Sequence, residues 1–218
     1  MISFQIDSAL QRAAPNLKLG VLTARVQNSE RSEELQARMD KQLTALQAQF
    51  EIANVNSLPP IAAQRSAYKT LGKDPSRYRG SSEALLRRVL QGKGLYNVNT
   101  LVDLNNLISL NTLHPVGSYD LSKLQPPFVF RVGQAGESYK GIGKVEISIE
   151  HLPLIADEQG PFGSPTSDSE RAMITLNTKQ VMMVIFAFSG EDLTPVLAEA
   201  EALLQSLLHA TEITRTIR

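Results

Sequence analysis

Hydrophobic positions follow two different periods along this chain. Between residues 32 and 111 they recur every three or four positions, the spacing that gathers them on one face of a helix. Leu35, Met39, Leu43 and Leu46 form one such stripe over 32–50. Ser32 is placed to cap it, and Glu33 and Glu34 sit in the first turn, where the helix dipole favours acids. Pro59-Pro60 closes a linker and opens a second helix over 61–71. A third is predicted over 81–90, behind two serines, and Gly92 stops it. A fourth covers 99–111, with Leu101, Leu104, Ile108 and Leu110 apolar and Pro115 beyond its end.

From residue 127 the period shortens. Phe128 to Val132 reads as a strand, and Val145, Ile147 and Ile149 alternate with Glu146, Ser148 and Glu150 as a one-faced strand should. Residues 152–156, 172–176 and 181–188 follow as strands. The last is apolar on both faces, which places it at the centre of a sheet. The same reading gives short strands at 2–6 and 17–26, an amphipathic helix over 193–209 with Thr194 and Pro195 at its start, and a closing strand at 213–217. Strands, then helices, then strands, then a helix make an α+β pattern and not a repeated βαβ unit.

Composition narrows the chemistry. The 218 residues suit one domain or a compact domain with an added arm. Lys+Arg and Asp+Glu are both 22, so the formal net charge is zero. A protein that holds nucleic acid mainly through phosphates carries a basic excess, and this one does not. The absence of cysteine excludes disulfides, thiolate catalysis and Cys-ligated zinc, and fits a cytoplasmic setting. The first residues lack a basic region followed by a long apolar stretch, so no signal peptide is expected. No window approaches 18 consecutive apolar residues, so no membrane partner is expected either.

Few residues stand out as chemistry. His114, His151 and His209 share no metal-ligand spacing; the last two read as structural or surface residues, and His114 lies in an expected turn with Pro115, Gly117 and Ser118. There is no G-x-S-x-G, no P-loop and no G-x-G-x-x-G ahead of a helix, so no nucleotide cofactor is expected, and no metal. Asp168-Ser169-Glu170 could be a paired-carboxylate or metal site, although an acidic loop tip is the plainer reading. Lys69, Lys73, Arg77, Arg79, Arg87 and Arg88 make the densest basic region. It reads either as a solvated helix face or as a phosphate-contacting patch in which Tyr78 stacks on a base.

The stretch from Tyr78 to Asp120 is more specific. Arg79-Gly80-Ser81-Ser82-Glu83-Ala84-Leu85-Leu86-Arg87-Arg88 leads through Gly92-Lys93-Gly94-Leu95 to Val102-Asp103-Leu104-Asn105-Asn106, His114-Pro115 and Tyr119-Asp120. This resembles the B3/B4 editing domain of the phenylalanyl-tRNA synthetase beta subunit, whose stretch reads as a helix with a Val-Asp-x-x-Asn core, a Gln-Pro-type turn, an aromatic and an Asp. Weaker likeness extends over Phe128 to Val132 with Gly136-Glu137, over Leu154-Ile155-Ala156-Asp157, and over Pro15 to Asn28. The resemblance implies a B3/B4-type fold, with a central, mainly antiparallel sheet flanked by helices. It also implies one such domain over 1–218, with 1–60 as N-terminal strands and helix and 61–218 as the core that carries the motifs.

In function the resemblance implies a freestanding hydrolase that deacylates mischarged aminoacyl-tRNA in trans, with tRNA as a weak, transient, salt-sensitive partner, no DNA and no cofactor. An aminoacyl ester is already activated, so such a site works by positioning a water and stabilising the oxyanion. The candidate catalytic residues are Asn105, Asn106, His114, Gly117 and Ser118. Glu170 and Tyr119 are candidates for substrate binding, and Tyr78, Arg79 and Arg88 for tRNA. One departure is evident: the family places a histidine where this chain has Gly117. A non-catalytic module that holds tRNA or an amino acid is the alternative, and a small-molecule enzyme on a borrowed fold is a third reading. The space beneath Gly117 and Ser118 separates them, since an open polar pocket favours hydrolysis and a filled one favours binding.

Overall fold

A computed structural model describes residues 4–143 and 146–218. The chain opens with β1 (Phe4–Ile6), a short α1 (Ser8–Ala13) and β2 (Lys18–Arg25). Four helices follow: α2 (Glu33–Gln49), α3 (Pro59–Thr70), α4 (Ser81–Leu90) and α5 (Thr100–Thr112). Then come β3 (Val116–Asp120), β4 (Phe128–Val132), β5 (Ser138–Lys140), β6 (Glu146–Ser148), β7 (Pro153–Asp157), β8 (Gly160–Gly163) and β9 (Gln180–Ala187). The last elements are α6 (Thr194–Leu208) and β10 (Thr211–Ile217).

The strands form two four-stranded sheets, in the orders β1-β4-β7-β8 and β10-β2-β9-β3, with β5 and β6 paired as a small ribbon. Pairing is antiparallel except between β1 and β4, which run parallel. The α+β class with mainly antiparallel sheets and flanking helices therefore holds, but the single central sheet is two. The period-2 rule explains the layering. Along β9, Val181, Met183 and Ile185 face a core built with α2, α4, α5 and α6. Met182, Val184 and Phe186 face a second core, shared with Phe128, Phe130, Leu154 and Phe162 of the other sheet. One sheet is thus covered on both faces, and β9 lies inside it, between β2 and β3.

Local chemistry sets the boundaries. The Ser32 hydroxyl accepts from Leu35 N at 3.3 Å and starts α2, and Asn99 accepts from Val102 N at 3.0 Å to start α5. Two expectations are corrected. Residues 172–176 are not a strand: a single 3-10 turn, Glu170–Ala172, leads into irregular chain held by Thr175 and Thr178. The expected turn around Gly117 and Ser118 is the strand β3, because α5 ends at Leu113 in a left-handed conformation (φ 59°) that already reverses the chain. Helix α1 went unforeseen, since six residues are too few to show a period; the Asp7 side chain caps it. The expected strands over 2–6 and from Val145 extend beyond the described residues, since Ile2 and Val145 lie outside them; within them β1 covers Phe4–Ile6.

Candidate functional site

The residues expected to be catalytic lie on α5, on β3 and, for His114, between the two, and the structure divides those of β3 between the two faces of a sheet. Ser118 faces the helices. Its hydroxyl donates to Asn105 Oδ1 at 2.8 Å, and Asn105 Nδ2 donates to the Val116 carbonyl at 3.1 Å. The pair fastens α5 to the sheet edge, and those bonds use both ends of the Asn105 amide. Asn106 borders a different pocket, beside α2. His114 is 2% exposed. Its Nε2 lies 2.9 Å from Glu191 Oε1, and its Nδ1 has no hydrogen-bond partner among the described residues. Burial lowers the His114 pKa against the opposing pull of Glu191.

Gly117 and Tyr119 point the other way, toward the second sheet. A Cβ on Gly117 would lie 2.2 Å from the Tyr119 hydroxyl oxygen, and one on Gly163 of β8 only 2.3 Å from the same atom. The tyrosine side chain therefore fills the space beneath Gly117, and glycine is required at both positions. Tyr119 is fully buried, edge-on to Phe162 at a centroid distance of 5.0 Å. This corrects its expected role in substrate binding: the ring is a core element that no substrate reaches. Its hydroxyl donates to Asp168 Oδ1 at 2.8 Å, and the same oxygen accepts from Ser164 N at 3.3 Å. Desolvation pushes the Asp168 carboxyl up to about 6, despite these two bonds. The Tyr139 hydroxyl donates to the Ser167 carbonyl, and Tyr68 and Thr166 share a hydrogen bond of 2.8 Å. Asp168 thus belongs to a buried polar network under the 164–169 loop and not to an exposed acidic loop tip.

The basic region is also divided. The Glu83 side chain is only 1% exposed, and three guanidinium groups reach it: Arg65 at 3.0 Å, Arg79 at 3.3 Å and Arg87 at 2.8 Å. Arg79 is thereby anchored, though 43% of its side chain remains exposed. Tyr78 is half-buried, with Lys73 Nζ at 4.4 Å and the Arg77 guanidinium at 5.5 Å from its ring centre. Arg88 lies apart from both, stacked at 4.3 Å over the ring of Tyr96.

Glu170 lines an open cleft of about 520 Å³ between β5 and β8. Ser138, Tyr139, Lys140, Ser169 and Arg171 share it. Glu170 Oε2 lies 2.6 Å from Lys140 Nζ. Arg171 holds Asp157 through two bonds of 2.8 and 3.1 Å. Burial alone would raise the Asp157 carboxyl, but those bonds and the one from Gln125 N outweigh it and keep the group below its ordinary value. An ammonium, a guanidinium, a carboxylate and hydroxyls side by side suit a ligand that carries both charge signs. Lys140, Tyr139 and Arg171 were missed because nothing in their spacing marks them; a β-ribbon and a 3-10 turn bring them together. Among the described residues, no group of three or more His, Asp or Glu could hold a metal, and no helix is long and apolar enough to cross a membrane.

Two sheets, with α2, α4, α5 and α6 packed on one of them, make an α+β fold that carries the α5–β3 unit. The chain belongs to the B3/4 domain family, whose profile matches residues 63–195. It is similar to the phenylalanine–tRNA ligase beta subunit of Chromobacterium violaceum, 35% identical over 111 residues, which are 50% of this chain and 14% of that subunit. The Streptomyces avermitilis subunit is 28% identical over 48% of the chain and 12% of its own length, and that of Bifidobacterium longum 24% identical over 64% and 17%. The matches thus span less than a fifth of each of these relatives. An N-terminal fragment of the Pyrococcus horikoshii phenylalanyl-tRNA synthetase beta subunit aligns over the whole chain and 50% of its own length, with TM-score 0.46 and 15% identity.

Proposed function

We propose that this chain is a hydrolase that removes the amino acid from mischarged tRNA in trans, meeting tRNA transiently in the cytoplasm. Membership of the B3/4 family through residues 63–195, with matches to phenylalanine–tRNA ligase beta subunits, is the observation that carries the reading. The cleft bordered by Lys140, Glu170 and Arg171 supports it, because a carboxylate and two cations border it, groups that suit the α-ammonium of an aminoacyl ester and the phosphate of the terminal nucleotide. Hydrolysis of an ester needs a positioned water and donors aimed at the developing oxyanion, not a protein nucleophile. Asn105 and Ser118 bond to each other, and Asn106 and His114 lie apart from them, so in this proposal the water is held at the cleft and the Asn105–Ser118 pair fastens α5 to β3.

A second reading rests on a specific observation. The space beneath Gly117 is filled by the Tyr119 side chain, as expected of a non-catalytic module that holds tRNA or an amino acid. One experiment separates the two. The folded protein is mixed with a panel of correctly and incorrectly charged tRNAs, and ester loss is compared with buffer. Faster loss from one mischarged species supports the hydrolase and names its amino acid. No acceleration across the panel leaves the binding module as the account.

A further inference from the structure

Tyr96 is 73% exposed, the most exposed of the large hydrophobic side chains described, and it lies away from the cleft between β5 and β8. It stands on the loop between α4 and α5, and that loop is braced. Arg88 Nε donates to the Gly94 carbonyl at 2.7 Å, and Val98 N donates to Asp103 Oδ1 at 3.0 Å. Gly92 and Gly94 take φ values of 70° and 59°, which lets the chain turn tightly enough to bring the Tyr96 ring over the guanidinium. One face of the ring is occupied by Arg88 at 4.3 Å, and the ring as a whole stays open to solvent. Beside it lies a pocket of about 150 Å³, bordered by Arg31, Asp40, Asn97, Asp103 and Asn106.

We propose that Tyr96, backed by Arg88, is a stacking platform for an unpaired nucleobase, and that the adjacent pocket reads the edge of that base. The proposal rests on the RNA reading above for its class of ligand, and it names which part of the RNA is held. Three observations carry it. Aromatic rings and arginine planes are the surfaces on which unstacked bases sit, and here the two are already stacked and fixed by the loop. Arg31 and Lys93 are exposed beside the platform and supply cations for the flanking phosphates. Asp40 and Asp103 are acceptors and Asn97 and Asn106 are amides, a set that suits a base with an exocyclic amine, such as adenine, better than uracil. Arg88 therefore serves as a positioning residue, holding the ring by its guanidinium plane.

The test uses the full chain and a fluorescein-labelled octamer of adenylate or of uridylate, with anisotropy read at fixed ionic strength. These probes carry no ester, so the outcome is independent of hydrolysis. The wild type is expected to bind the adenylate octamer more tightly than the uridylate one. Tyr96→Ala should weaken adenylate binding by about tenfold or more, the usual worth of one stacked base, whereas Tyr96→Phe stays within about twofold. Arg88→Lys keeps the charge and should still weaken binding, because it loses the planar backing. Tyr96 is exposed, so the variants are expected to keep the wild-type circular dichroism. Equal binding by Tyr96→Ala, or no binding by the wild type, overturns the platform; equal affinity for both octamers overturns the edge-reading pocket.

Discussion

Asp168 and His114 show how single residues fix the pH response of this fold. Desolvation raises the Asp168 carboxyl to about 6, so the folded state holds its proton more tightly than the unfolded chain does. Its stabilising contribution is complete below the ordinary aspartate range and is lost as pH rises through about 6. His114 is lowered by burial, so its contribution is present above the ordinary histidine value and is lost as pH falls below it. The two slopes oppose each other across the mildly acidic range, and substitution separates them. Asp168→Asn keeps the shape of the side chain, offers Tyr119 a neutral oxygen and removes the titration. Relative to wild type, its stability should improve steadily between pH 4 and pH 7 and then level off. Urea midpoints at half-unit steps of pH check this; a difference that stays flat over that range contradicts the raised carboxyl.

Among the elements, α4 depends on one buried charge. Glu83 lies in its first turn, where a carboxylate also meets the positive end of the helix dipole, and Arg65, Arg79 and Arg87 converge on it from α3, the preceding loop and the next turn of α4. Removing one partner of a buried ionic cluster leaves the rest uncompensated, so Glu83→Gln should cost about 3 kcal/mol, and Arg79→Ala, at the exposed rim, about 1 kcal/mol or less. Chemical denaturation of both variants tests the order; equal losses would mean that Glu83 is no better paired than a surface acid. This cluster also shows what was legible beforehand. The helices of 32–111 could be read because their stripes and caps are local. The basic density around α4 could be seen, but not that Glu83 ties two of its arginines to Arg65, which lies 18 residues away in sequence. Likewise Ser118 and Asn105 stood out as polar residues in a familiar motif, whereas their mutual bond follows only from α5 packing on β3. Gly117 could be read as one position of that motif, but the Tyr119 ring held between two glycines, on β3 and β8, follows only from the two sheets lying face to face.

At the scale of the whole molecule, strand β9 belongs to two cores at once. Ile185 packs into the helical core and its neighbour Phe186 into the core between the sheets, and both are fully buried. Their backbone groups serve the same ladders, to β2 on one side and β3 on the other. A cavity on either face therefore loosens a sheet that both cores need, so the two layers should unfold together. Ile185→Ala and Phe186→Ala should each cost about 3–4 kcal/mol, the usual penalty for truncating a fully buried large side chain. The sharper expectation concerns cooperativity. Far-ultraviolet circular dichroism reports chiefly on the helices, and the near-ultraviolet signal of Tyr119, Tyr139 and Tyr68 reports on the inter-sheet side. In wild type and both variants the two signals should share one urea midpoint, as a two-state transition requires. If Phe186→Ala lost the tyrosine signal at a urea concentration where the helices persist, the sheet would not be the common wall, and each core would stand on its own.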